Sequence, residues 1–175
     1  KGTGTLLPGR KVKVGADVHE AKKAVVIATG SRVKGIPQIG LEINKTTVIS
    51  SDEALFLEAA PKSMIVVGAG AVGSEFADIF NAFGTKVTLV EALPRILPIE
   101  DAECSAVVEK SFKKRGMDVH TGARLESAEV HEGGVRVSFK DRNGQTQQLE
   151  VERVLSAVGR VPNTEDVGLE TAGVR

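Results

Sequence analysis

Apolar residues follow three different patterns along the chain, and each pattern predicts a different element. Nearly continuous apolar runs occur at Lys23-Ala-Val-Val-Ile-Ala-Thr29 and at Met64-Ile-Val-Val67. Both are short, rich in β-branched residues and followed by glycine, so both predict buried strands. After Val67 the period changes. Val72, Phe76, Ile79, Phe80 and Phe83 recur at spacings of four, three, one and three, and Gly84 stops them, which predicts a helix. Lys86-Val-Thr-Leu-Val90 predicts a second strand and Met117 to His120 a third. Between these, Asp101 caps a helix expected to run to Arg115. Glu103 sits near its start, Lys113, Lys114 and Arg115 at its end, and Gly116 follows, the charge order a helix dipole favours.

Further on, alternation replaces continuous runs. Leu125 to Val130 alternates loosely, and Val135, Val137 and Phe139 alternate cleanly. Gly133-Gly134 and Asn143-Gly144 supply turns, and Leu149, Val151, Val154 and Leu155 are apolar, so an antiparallel meander of about three strands is expected. Nearer the start, Thr3 to Leu7 and Lys11 to Val14 predict short strands around a Pro8-Gly9 turn. Residues 32–47 read as a linker, because Gly35, Pro37, Gly40 and Asn44 break any period. Ser50-Ser51-Asp52-Glu53 caps a short helix carrying Ala54, Leu55, Phe56 and Leu57. Gly and Pro punctuate the tail from Ser156 onward.

The first strand–helix junction carries the chemistry. Gly68-x-Gly70-x-x-Gly73 lies between the strand at Met64–Val67 and the helix. Gly68 suits a tight turn, Gly70 lets a pyrophosphate approach the backbone, and Gly73 lets helix and strand pack closely. Open N–H groups and the positive end of the helix dipole then face the phosphates. Glu91 ends the second strand, 18 residues after Gly73, near the spacing expected of an acid that binds an adenosine ribose. Incidental glycines and a surface glutamate are the plain alternative. The agreement of motif, flanks and acid favours the dinucleotide. Glu91 would accept from a free 2′-hydroxyl and repel a 2′-phosphate, which predicts NAD(H) over NADP(H) and a shift toward NADP(H) in Glu91→Arg.

Composition narrows the field. There are 23 basic and 23 acidic residues, so no basic face points to nucleic acid. No apolar run approaches the ~20 residues of a membrane span. The chain opens without Met or an apolar leader, which reads as a piece of a longer protein, and its tail shows no element to tie it down. Cys104 is the one cysteine, which excludes an internal disulfide and suits a reducing cytoplasm. Its place beside Val107, Val108 and Phe112 predicts a buried structural thiol. His19, His120 and His131 have no Cys or His at ligand spacing, so no metal is assigned.

Four blocks stand in order: Ala28-Thr-Gly-Ser31, Gly68-x-Gly70-x-x-Gly73-Ser-Glu75, Leu89-Val-Glu91 and Ala157-Val-Gly-Arg-Val-Pro-Asn163. Together they resemble the flavoprotein pyridine nucleotide–disulfide oxidoreductases, over essentially the whole chain. Val48-Ile-Ser-Ser-Asp-Glu-Ala-Leu55 and Arg95-Ile-Leu-Pro98 make the dihydrolipoyl dehydrogenase branch the most similar. The resemblance implies an α/β fold, Rossmann-like and FAD/NAD(P)-binding, with a parallel sheet, helices and the antiparallel β-meander. It implies that residues 1–41 end a first FAD segment, 42–155 form the NAD-binding domain and 156–175 begin a second FAD segment. NAD would lie against Gly68, Ala69, Gly70, Ala71, Val72, Gly73, Ser74 and Glu75, with Glu91 on the ribose, Leu125 beside the adenine and Gly159 approaching the dinucleotide. Thr29, Gly30 and Ser31, with Arg160, would touch FAD, and Glu75 would lie near the flavin.

The implied activity oxidises dihydrolipoamide through a protein disulfide and FAD and passes hydride to NAD⁺. The implied partners are a second copy and the lipoyl domains of 2-oxoacid dehydrogenase complexes, with no nucleic acid and no membrane. The departures are equally informative. These residues hold no redox-active cysteine pair, no FAD pyrophosphate glycines and no His–Glu acid–base pair, so no catalytic residue is assigned and no tightly bound flavin is expected on this chain alone. Ala71 stands where glutathione reductases usually carry a tyrosine. The alternatives are the NAD(H)-binding part of another flavin disulfide reductase (mercuric or glutathione-like) or of an NADH oxidase, or a stand-alone NAD-binding module.

Overall fold

The computed structural model describes residues 2–174; Lys1 and Arg175, on which part of the reading of the two chain ends rests, lie outside the described residues. In chain order the strands are β1 (Gly4–Leu7), β2 (Lys11–Val14), β3 (Asp17–Glu20), β4 (Ser31–Val33), β5 (Val48–Ile49), β6 (Ser63–Val67), β7 (Lys86–Glu91), β8 (Asp118–Thr121), β9 (Arg124–His131), β10 (Gly134–Lys140), β11 (Thr146–Val151), β12 (Arg153–Ser156) and β13 (Arg160–Pro162). The helices are α1 (Ser51–Ala54), α2 (Ala71–Ala82) and α3 (Ala102–Lys114). None is long and apolar enough to cross a membrane. The chain forms two compact units, a central one of Val33–Gly159 and a terminal one made of Lys1–Arg32 with Arg160–Arg175.

The central unit is built on a five-stranded sheet in the order β5-β12-β6-β7-β8, with every pairing parallel. Alternate side chains of one strand serve two different cores. Met64 and Val66 join Leu89, Leu155, Phe76, Ala77, Phe80 and Phe112 on the helix side. Ile65 and Val67 join Val90, Val135, Val137 and Phe139 on the side of the β9–β10–β11 meander. A strand covered on both faces must be apolar at every position, which is why Met64–Val67 shows no alternation. The meander pairs antiparallel, with Val135, Val137 and Phe139 fully buried. Val154 and Leu155 fall outside it, in β12, which returns to the parallel sheet beside β6.

The helices differ from expectation in which residues they bury. In α2, Phe76 and Phe80 pack inward with Gly73, Ser74 and Ala77, whereas Val72, Ile79 and Phe83 stay 46%, 44% and 71% exposed. In α3 the inward stripe is Ser105, Val108 and Phe112, at spacings of three and four. Cys104 lies one step, about 100°, off that stripe. It is exposed, as is Val107, so the expectation of a buried thiol is overturned. Asp101 caps α3 as expected, its Oδ1 accepting from the Glu103 N–H at 2.9 Å. The Ser50–Glu53 capping box forms, but α1 ends at Ala54, leaving Leu55 and Phe56 exposed.

Residues 32–47 are more structured than a linker. Ile36 and Leu41 form a β-bridge around a 3-10 turn at Pro37–Ile39, and Leu41 is buried in the meander-side core. The segment is tied to the end of β12. The Lys34 N–H donates to the Gly159 carbonyl at 3.0 Å, and Ser156 Oγ donates to the Lys34 carbonyl at 2.8 Å.

The terminal unit contains the β1-β2-β3 antiparallel sheet, with the expected hairpin around Pro8-Gly9, and the β4–β13 pair. Its Lys23–Thr29 stretch forms no strand, contrary to expectation. Among the described residues it has no ladder partner, and Val26 is 84% exposed. Strand propensity records a fit to neighbouring strands, and here no neighbour is supplied. The unit is fastened instead by polar contacts. Arg32 donates to both carboxylate oxygens of Glu165, at 2.9 and 2.6 Å, and this hydrogen-bonded partner, helped by backbone N–H groups and the opposite charge, holds the Glu165 carboxyl down to about 2.

Candidate functional site

At the carboxyl end of β6 the chain turns through Gly68-Ala69-Gly70 into α2. β7 and β8 lie on one side of β6 and β12 on the other, so the turn stands at the point where the strand order reverses, where ligands of open α/β sheets bind. The three motif glycines are constrained differently. Gly68 has φ +92°, and a Cβ there would come within 2.6 Å of the Ala157 carbonyl oxygen. A Cβ on Gly73 would strike the Gly68 carbonyl. Gly70, at φ −68°, is neither in the left-handed region nor near any protein atom that its Cβ would meet within 4 Å. Neither a steric contact nor the backbone conformation requires glycine at position 70.

Gly70 is also the N-cap of α2, and no side chain caps that helix. The Ser74 N–H donates to the Gly70 carbonyl at 2.9 Å, which leaves Ala71, Val72 and Gly73 ahead of it as the open donors of the helix N-terminus. A cleft of about 530 Å³ opens beside this turn. Gly68, Gly70, Glu91, Leu125 and Gly159 all line it. Among the other expected contacts, Ala69, Gly73 and Ser74 are buried beneath the turn, while Ala71, Val72 and Glu75 are exposed at the start of α2. Thr29, Gly30 and Ser31 are exposed in the terminal unit, held by Asn163 and Arg160: Asn163 Nδ2 donates to the Thr29 carbonyl at 3.1 Å and Arg160 Nε to Ser31 Oγ at 2.7 Å.

Glu91 is buried, with 7% of its surface accessible. Its Oε2 accepts from the Ala69 N–H at 2.6 Å and its Oε1 from the Leu93 N–H at 2.8 Å. A carboxylate oxygen can accept more than one hydrogen bond, so both retain capacity toward the cleft. Ile36, Ile39 and Arg124 are among the wall residues that escaped the sequence reading. The first two sit in the segment read as linker, and no sequence period marks them. Arg124 stands one residue before Leu125, and it could have been flagged as a cation beside an expected adenine contact. Arg95, by contrast, turns to its own loop and donates to the Pro98 and Glu100 carbonyls.

The family profile described as pyridine nucleotide-disulphide oxidoreductase matches residues 3–175. The chain belongs to that family. Among curated oxidoreductases of this family, dihydrolipoyl dehydrogenase from Rhizobium etli is 40% identical over 153 residues, covering 87% of this chain and 31% of that protein. Dihydrolipoyl dehydrogenase from Cupriavidus necator is 35% identical and covers 99% of the chain and 36% of its own length. Among solved structures, LpdA from Mycobacterium tuberculosis superposes with a TM-score of 0.85 at 33% identity, and the HOCl-induced flavoprotein disulfide reductase RclA from Escherichia coli with 0.83 at 28%. Each match covers 99% of this chain and 39% of the other. The chain thus spans about a third of the curated relatives it matches. The Rossmann-like α/β fold that the family resemblance implied is the fold observed.

Proposed function

We propose that this chain is the NAD(H)-binding region of a dihydrolipoyl dehydrogenase, with the dinucleotide in the cleft of the central unit. The observation that carries the proposal is Gly70. Its neighbours in the motif are glycine because the protein crowds them, whereas position 70 faces open space at a helix N-terminus. A pyrophosphate approaching that backbone supplies the missing reason. The open N–H groups of Ala71, Val72 and Gly73 would hold its oxygens. Glu91 would accept from the adenosine ribose, Leu125 would flank the adenine, and Gly159 would border the dinucleotide from the β12 side. Thr29, Gly30 and Ser31 would serve FAD, with residues 1–41 and 156–175 as FAD segments around an NAD domain of 42–155.

FAD and NAD, when bound, supply the hydride chemistry between them. The contribution of this chain is orientation: a fixed turn and an apolar cleft hold one reactant where the other can meet it. In the whole protein this reading implies oxidation of dihydrolipoamide with NAD⁺ as acceptor, a homodimer, lipoyl domains as partners and a cytoplasmic setting. The RclA likeness keeps the NAD(H)-binding part of another flavoprotein disulfide reductase as the second reading.

Calorimetric titration with NADH tests the site. Wild type should bind NADH more tightly than NADPH, because Glu91 would face a 2′-phosphate. Gly70→Val should lose detectable NADH binding in a domain that still folds, since a Cβ there meets no protein atom within 4 Å. Equal NADH affinity in a folded Gly70→Val protein would place the dinucleotide elsewhere.

A further inference from the structure

Ala69 is the most constrained residue of the glycine-rich turn, although it lies outside any strand or helix. Its side chain is fully buried. Its N–H donates to Glu91 Oε2 at 2.6 Å, and its carbonyl accepts from the Leu97 N–H at 2.7 Å and from Ser74 Oγ at 3.2 Å. Leu97 is itself held. Its backbone adopts φ +46°, its carbonyl accepts from Ser105 Oγ at 3.1 Å, and its neighbour Ile96 is fully buried. The second oxygen of Glu91 holds the Leu93 N–H, at the start of the same loop. A hydrogen-bonded clamp therefore runs from α3 through the Leu93–Pro98 loop and Glu91 to the turn.

We propose that Glu91 is a positioning residue for the phosphate-binding turn, acting through Ala69 and Leu93, in addition to any contact it makes with a ribose. The inference rests on the dinucleotide reading for its functional consequence, but the clamp concerns only this chain's own atoms. A charged acceptor at 2.6 Å, buried and doubly committed, fixes the conformation from which the open N–H groups of the turn and of α2 project. Replacing it by glutamine sets an amide NH₂ against one of two backbone N–H donors, and that donor loses its partner in a buried place. Arginine at 91 offers no acceptor at all. Glu91→Arg is then expected to weaken NADH and NADPH together, and not to exchange one preference for the other as position alone suggested.

The test compares NADH with its 2′,3′-dideoxyadenosine analogue, which lacks the hydroxyls that Glu91 could bind. If Glu91 positions the turn, Glu91→Gln weakens the analogue by about tenfold or more, the order expected for losing a hydrogen bond to a charged group. If Glu91→Gln weakens NADH and leaves the analogue unchanged, the positioning role is overturned and the site reading stands. If wild type binds neither ligand, the site reading falls, and amide exchange decides the clamp alone. In wild type the Ala69 amide should then exchange as slowly as the amides of β6, and in Glu91→Gln about tenfold faster. An Ala69 amide that exchanges in wild type like an open loop overturns the proposal, and this measurement needs no variant.

Discussion

Met64-Ile-Val-Val67 and Ala24-Val-Val-Ile27 are nearly the same word written twice, yet only the first is a strand. The first lies between β12 and β7, under helices on one face and the meander on the other, and its residues are 0 to 4% exposed. The second has no ladder partner among the described residues, and Val26 and Ile27 are 84% and 43% exposed. Local composition states that a segment can be a buried strand. Whether it becomes one depends on the surfaces the rest of the chain brings to it.

The widest separation between the two segments should appear in hydrogen exchange. Amides of Met64 to Val67 should exchange near the rate of global unfolding, and those of Ala24 to Ile27 about a thousandfold faster or more. Comparable protection in both would mean that the second run is paired in solution. The next effect is energetic. Ile65→Ala removes a fully buried side chain and should cost about 3 kcal/mol in urea unfolding, while Val26→Ala should stay within about 0.5 kcal/mol. A large loss at Val26 would reveal a hidden packing partner.

The smallest effect concerns the polar fastening of the terminal unit. The Glu165 carboxyl lies at about 2 in the folded chain against an ordinary value of 4.5, chiefly through its hydrogen bond from Arg32. A lowered carboxyl value means that the pair's contribution is complete above 4.5, declines as pH falls below it, and is gone once pH drops through about 2. Acid titration of wild type against Glu165→Gln, followed by exchange in β4 and β13, should show the two converging at the acid end. A gap that persists below that range would assign the fastening to other contacts.

Much of the central unit was legible because its signals are local. The β6 run, the glycines, α2 and β7 follow one another without interruption, so a tight turn and a helix N-terminus can be read directly. The capped start of α3 and the Asn143-Gly144 turn were legible for the same reason. What escaped reading depends on contacts distant in sequence. The bridge at Ile36–Leu41 needs β12 and the meander in place, and Cys104 points outward because Ser105 and Phe112 set the rotation of α3. At the site, Glu91 could be found by counting, but its bonds to Ala69 and Leu93 could not.

The bond between Lys34 and Gly159 has a consequence for heredity as well as for packing. It brings the entry and exit of the central unit to 3.0 Å, although 124 residues separate them along the chain. A segment whose two ends meet can be spliced into a host loop, or removed from one, with little disturbance to the host backbone, which is the condition under which domain insertion is tolerated. Here Val33–Gly159 interrupts one compact unit and leaves Lys1–Arg32 and Arg160–Arg175 on either side. That arrangement lets the central unit be moved or removed as a single genetic piece.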